Sequence, residues 1–158
     1  MSVLPLTVYD MHIWNRGMVG VYEKSLKSKI LIVEDYNIVA RDIKERLEHM
    51  DYNVLDIVSN GEDAIKKSYE TKPDVVLMDI VLKGKLDGIE TAQKIQASDN
   101  IPIIYVSAYY DNKTLKRAAT TLPSGFILKP FDDVGLDTSI QLALYKQQHL
   151  EQLKGNSY

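Results

Sequence analysis

The chain contains no cysteine. That one absence removes disulfides, thiolate metal sites and a cysteine nucleophile together. Long apolar runs are missing too. No stretch approaches the roughly 20 residues that a membrane span needs. Asp10, Asn15 and Arg16 interrupt the N-terminal region, which lacks a basic lead followed by an apolar block, so a secretory signal is not expected. A positive excess is also lacking. The net charge is −3, which supplies no global basic field for nucleic acid. Low-complexity tracts and internal repeats are absent. These absences together predict a soluble, cytoplasmic protein that makes no direct contact with nucleic acid or membrane.

What is present fits one ordinary domain. The chain has 158 residues, 45% of them hydrophobic and 26% charged, enough to fill a single core. The clearest segment is Val75-Val76-Leu77-Met78-Asp79, four apolar residues running into an acid. Such a run reads as a short strand buried on both faces. From Lys29 onward the same pattern recurs. Strands are predicted at Ile30–Val33, Val54–Val58, Val75–Met78, Pro102–Val106 and Gly125–Leu128. Helices are predicted from about Asn37 to Met50, Gly61 to Glu70, Ile89 to Ala97, Asp111 to Thr121 and Asp133 to Leu153. The first of these carries an apolar stripe of Ile38, Val39, Ile43, Leu47 and Met50. Five strands alternating with five helices predict an α/β fold with a mostly parallel sheet and helices on both faces.

In a parallel sheet the carboxyl ends of the strands share one rim, where open α/β sheets place their ligands. The predicted ends supply Glu34 and Asp35, then Asp79, Ser107 and Lys129. Each has an ordinary reading. Asp79 can cap a loop, Glu34-Asp35 can cap the first helix, Ser107 can be a loop residue, and Lys129 a turn residue before Pro130. Their joint placement says more. Crowded carboxylates raise each other's pKa unless a cation sits among them. Lys129 brings one positive charge, and oxygen-only ligands favour Mg2+ over zinc. A carboxylate beside such an ion can attack a phosphoryl donor and form an acyl phosphate.

These segments resemble the response regulator receiver domain of two-component signalling. The resemblance rests on Ile30-Leu31-Ile32-Val33-Glu34-Asp35, Val75-Val76-Leu77-Met78-Asp79-Ile80, Asp87-Gly88-Ile89-Glu90, Val106-Ser107-Ala108 and Gly125-Phe126-Ile127-Leu128-Lys129-Pro130. It spans about Lys29 to Gln147. It implies a flavodoxin-like, doubly wound sheet of order 2-1-3-4-5 and a cis Lys129–Pro130 bond. It implies Asp79 as phosphoacceptor and Glu34, Asp35 and Asp79 as Mg2+ ligands, with the backbone carbonyl of Val81 as a further one. Ser107 is implied as the hydroxyl switch, Lys129 as the ammonium partner, and Phe126 as the aromatic that swings inward on activation. A sensor histidine kinase or phosphotransfer protein would be the donor, and a downstream protein would read the switch. The domain would be no enzyme beyond its own phosphoryl transfer and dephosphorylation. Two departures stand out. The loop Ile80–Gly88 is one residue longer than the common form, and Lys83 stands where proline is frequent. Tyr109 is bulky and is expected either to shield the acyl phosphate or to be an ordinary exposed aromatic.

The remainder divides into an arm and a tail. Residues 1–28 read as a loosely ordered N-terminal arm, as a segment packed on the body, or as leader ahead of a true start at Met18. Residues 29–147 read as the receiver domain, and 148–158 as a helical extension and tail. Leu150 and Leu153 lie one turn apart there and suggest a homodimer contact or a linker. A stand-alone receiver is expected, with a fragment of a larger hybrid sensor protein as the alternative. Lys113, Lys116 and Arg117 form either a face for an acidic partner or a solvated face. A nucleotidase reading fails for want of a G-x-x-x-x-G-K-[ST] loop. A phosphorylation-independent scaffold of the same fold is the remaining rival.

Overall fold

Alternation along the strands decides how the layers form. The computed structural model describes residues 28–108 and 111–155. All but the last residue of the expected 1–28 arm, Tyr109 with its two readings, and the last three residues of the tail lie outside the described residues. Strands β1 (Lys29–Val33), β2 (Asn53–Val58), β3 (Val75–Met78), β4 (Ile103–Ser107) and β5 (Gly125–Leu128) pair in parallel. Their order is β2-β1-β3-β4-β5, as the resemblance implied.

Successive side chains of a strand point to opposite faces. Ile30, Ile32, Val75, Leu77, Ile104 and Val106 face one layer, with helices α1 (Asn37–His49) and α5 (Asp133–Gly155). Leu31, Val33, Val76, Met78, Ile103 and Tyr105 face the other. There they meet α2 (Gly61–Thr71), α3 (Gly88–Ser98) and α4 (Asn112–Thr120). The chain steps from β1 out to β2, then returns past β1 to β3. That reversal opens a crevice between the ends of β1 and β3.

Predicted and observed boundaries differ by a residue or two, as frayed ends allow. Two expectations on α1 need correction. Ile38 is 82% exposed, and the buried stripe is Ala40, Ile43 and Leu47. Small Ala40 sits one turn ahead of the larger pair, so the helix lies close to the sheet and rolls Ile38 outward. Neither Glu34 nor Asp35 caps α1, whose N-cap is Tyr36 without a side-chain bond. Two later helices do carry side-chain caps: Asn60 and Asp111 accept from the backbone N–H of Asp63 and Thr114.

Helix α5 runs two residues past its predicted end, with 149–155 exposed, including Leu150 and Leu153. Its base is tied down by Tyr52, whose hydroxyl donates to Asp137 Oδ1 at 2.6 Å. Burial, reinforced by the Asp137 carboxylate, drives the Tyr52 pKa well above the ordinary phenol range. Tyr52→Phe leaves the ring in place and removes one bond to a charged group, so it should cost about 1–2 kcal/mol. Urea denaturation checks this; an unchanged midpoint would show that the bond is not stabilising.

Candidate functional site

The rim of the sheet brings the predicted residues together. Val33 and Met78 are register partners, so the residues that follow them lie side by side. Backbone bonds lock this arrangement. The Glu34 N–H donates to Val58 O at 3.0 Å, Asp79 N–H to Val33 O at 2.9 Å, and Lys129 N–H to Ser107 O at 2.9 Å. Glu34, Asp79 and Ser107 are all buried. A crevice of about 360 Å3 opens above them, lined by Asp35, Asp79, Val81, Ser107 and Lys129 together with Tyr36 and Lys83.

Charge dominates this crevice. One carboxylate oxygen each from Glu34, Asp35 and Asp79 lie within 4.8 Å of one another. The Lys129 ammonium donates to Glu34 Oε2 at 2.7 Å and to Asp79 Oδ2 at 3.3 Å. Burial pushes the Asp79 carboxyl up to about 6, and the neighbouring charge of Glu34 pushes the same way against Lys129. Burial alone would lower the Lys129 ammonium. Its bond to Glu34 and the charges of Asp79 and Glu34 outweigh that and hold it above the ordinary lysine value. Three carboxyl groups converge here, and Lys129 alone bonds to two of them, so the acids outnumber the ammonium set among them. That imbalance and an all-oxygen donor set suit a hard divalent cation.

The loop after β3 closes the crevice on one side. The Val81 N–H donates to Asp79 Oδ1 at 3.1 Å, and the Lys83 N–H donates to Asp35 Oδ2 at 3.2 Å. Gly84 has φ = 108°, a conformation glycine tolerates and side-chain-bearing residues rarely adopt. The loop crosses back toward β1 and contacts Asp35 through the Lys83 backbone. At its far end Asp87 caps α3 in a capping box, accepting from Glu90 N–H while Glu90 Oε2 accepts from Asp87 N–H. Gly88 follows, and its N–H donates to Ile80 O at 2.8 Å.

Phe126 is the one predicted site residue outside the crevice. It packs beside Tyr105 at a 6.2 Å ring separation and lines a groove of about 280 Å3 with Leu115, Leu122 and Pro123. Four residues build the site without having been assigned to it on the sequence: Tyr36, Lys83, Asp87 and Gly88. The Asp-x-x-Glu pattern of Asp87 and Glu90 is the available signal for the cap. The Lys129–Pro130 bond is cis, matching the implication of the resemblance.

A doubly wound five-stranded sheet with an acidic triad and a lysine at its switch point defines the class. The family model of the response regulator receiver domain matches residues 30–141. The chain belongs to that family. Among curated relatives, the transcriptional regulatory protein PdtaR of Mycobacterium tuberculosis is 26% identical over 133 residues, covering 84% of this chain and 64% of its own. The response regulator ArlR of Staphylococcus saprophyticus is 33% identical over 130 residues, covering 81% and 58%. The chain therefore spans about 60% of these relatives' lengths. A solved structure of the signal receiver domain of a modulated diguanylate cyclase from Desulfovibrio desulfuricans is 38% identical, with TM-score 0.74, covering 77% of this chain and 96% of that one. The receiver domain of sensor histidine kinase PA1611 from Pseudomonas aeruginosa is 26% identical with TM-score 0.69, covering 75% and 98%. That structure has a magnesium ion coordinated in its active-site cleft. No helix among the described residues is long and apolar enough to cross a membrane.

Proposed function

We propose that this domain is a phosphoacceptor switch. Asp79 takes a phosphoryl group from a phosphohistidine on a sensor histidine kinase or phosphotransfer protein. The observation that carries the reading is the buried Asp79 carboxylate flanked by Glu34, Asp35 and Lys129 at the sheet's switch point. Asp79 attacks the phosphorus; a carboxylate O–P bond forms as the donor's N–P bond breaks, and the freed imidazole takes up a proton. Glu34, Asp35 and Asp79, with the Val81 carbonyl, are the ligands proposed for Mg2+. Bound there, it would neutralise charge on the transferring group.

The chain's own residues do the rest. The Lys129 ammonium already lies 3.3 Å from Asp79 Oδ2 and serves to pair with the new phosphoryl oxygens. Ser107 ends β4 at the crevice and offers them its hydroxyl. Movement of Ser107 toward the phosphoryl group frees space beside β4 into which Phe126 repacks. The face built by α4, β5 and α5 then changes its affinity for a protein partner, a population shift of a few kcal/mol. We assign residues 29–147 to this receiver unit, acting only on its own phosphoryl group in the cytoplasm.

The test is intact-protein mass spectrometry after incubation with acetyl phosphate and Mg2+. One added phosphoryl group, removed by hydroxylamine as an acyl phosphate is, supports the reading. Absence of any adduct with acetyl phosphate and with a phosphohistidine donor would favour a phosphorylation-independent scaffold.

A further inference from the structure

Helix α4 is held to the body by very little apolar surface. Of its residues only Ala118 is buried, whereas every other helix among the described residues buries three or more. Polar ties therefore carry a large share of its placement. Two are at its C-terminal end, where the Tyr105 hydroxyl lies 2.8 Å from that of Thr121 and Gln96 Nε2 donates to Thr121 O at 2.9 Å. The third is different in kind. Arg117 Nη2 donates to Asp87 Oδ2 at 2.7 Å and so ties α4 to the acceptor loop.

What Asp87 holds makes this tie matter. Its other oxygen caps α3, and the next residue, Gly88, packs flat on the Asp79 backbone. The packing is so close that a Cβ on Gly88 would fall 1.9 Å from the Asp79 carbonyl oxygen. Asp79 Oδ1 in turn accepts from Val81 N–H in the same loop. An unbroken chain of contacts runs from the guanidinium on α4 to the acceptor carboxylate.

We propose that Arg117 is a positioning residue of the phosphoacceptor site, acting through Asp87 to hold the acceptor loop and α4 as one coupled unit. The inference rests on the reading of Asp79 as phosphoacceptor. It also reassigns Arg117: of the three cations on α4, this one serves the site as well as the surface. By linkage, a partner that draws Arg117 away from Asp87 alters the acceptor site, and phosphorylation alters that partner's affinity equally.

The experiment measures the initial rate of phosphoryl incorporation at Asp79 with acetyl phosphate and Mg2+, using the full chain. Asp87→Asn keeps a competent helix cap while losing the charge. Arg117→Gln removes the other partner. Each should slow the reaction about three- to tenfold, short of the roughly hundredfold that a full 1 Å misplacement of a reacting group can cost. The double variant should be no slower than the worse single, and Arg117→Lys should recover most of the rate. Lys116→Gln, which removes a neighbouring cation, should leave it unchanged. In the unphosphorylated, metal-free protein, Arg117→Gln should speed hydrogen exchange of the Gly88 amide. Single variants within twofold of wild type, additive losses in the double, an equal loss in Lys116→Gln, or unchanged Gly88 exchange would each overturn the proposal. Wild type that gains no phosphoryl group would instead defeat the parent reading.

Discussion

Asp79→Asn should incorporate no phosphoryl group and should melt at a higher temperature than wild type when metal is removed. The first effect follows from chemistry, because a side-chain amide is not a usable nucleophile toward phosphorus at neutral pH. The second follows from the site's electrostatics. Asp79 is buried beside Glu34, and its carboxyl is pushed up to about 6 from an ordinary 3.8. The folded chain thus binds the Asp79 proton more tightly than the unfolded chain does. For a raised acid the stability is greatest below 3.8, falls as pH rises through about 6, and is level above that. The shift amounts to about 3 kcal/mol in full, and solvent reaching the crevice reduces it to about 1–2 kcal/mol. Melting curves in EDTA should therefore show a gain of a few degrees for Asp79→Asn at pH 7.5 that shrinks toward pH 4.5. A variant gain that grows toward low pH would contradict this account of the site.

Gly88→Ala should be among the most damaging single changes in the chain. A Cβ there meets the Asp79 carbonyl oxygen at 1.9 Å and the Asp79 carbonyl carbon and Ile80 Cα at 2.8 Å. These are backbone atoms and cannot rotate away. They are also held, Asp79 N–H by Val33 O and Gly88 N–H by Ile80 O. Either the first turn of α3 lifts from the sheet or the acceptor residue moves. Overpacking of this kind costs on the order of 3 kcal/mol. Urea denaturation measures the loss, and the phosphorylation rate of the remaining folded fraction should fall as well. Wild-type stability in Gly88→Ala would mean that the helix end yields freely, and would weaken the coupling argued for Arg117.

These two positions differ in how far the sequence discloses them. Asp79 is legible because strands buried on both faces read as unbroken apolar runs, and Val75–Met78 is fully buried. Lining up the ends of such runs is enough to put Glu34, Asp35, Asp79, Ser107 and Lys129 on one rim. Gly88 falls in a segment that carries the resemblance, but by itself it reads as a loop glycine. Its close approach to Asp79 depends on where α3 lands, which no local pattern records. Asp87 and Arg117 are 30 residues apart, so their ion pair is a product of topology. Ile38 is misplaced for a related reason. Helical spacing admits two neighbouring stripes on α1, and packing through Ala40 selects the one that leaves Ile38 out. Phe126 is identified by resemblance, and its place beside Tyr105 in a groove away from the crevice depends on the sheet register.

The central claim is that the Asp79 carboxylate itself carries the phosphoryl group. The most direct measurement is borohydride reduction of the protein after acetyl phosphate treatment, followed by peptide mapping. Reduction converts an aspartyl phosphate to homoserine. Homoserine at position 79 and nowhere else, lost in Asp79→Asn, is the predicted result. Homoserine at position 35, the homologous alcohol at Glu34, or a phosphoryl group that survives hydroxylamine on Ser107 would contradict it.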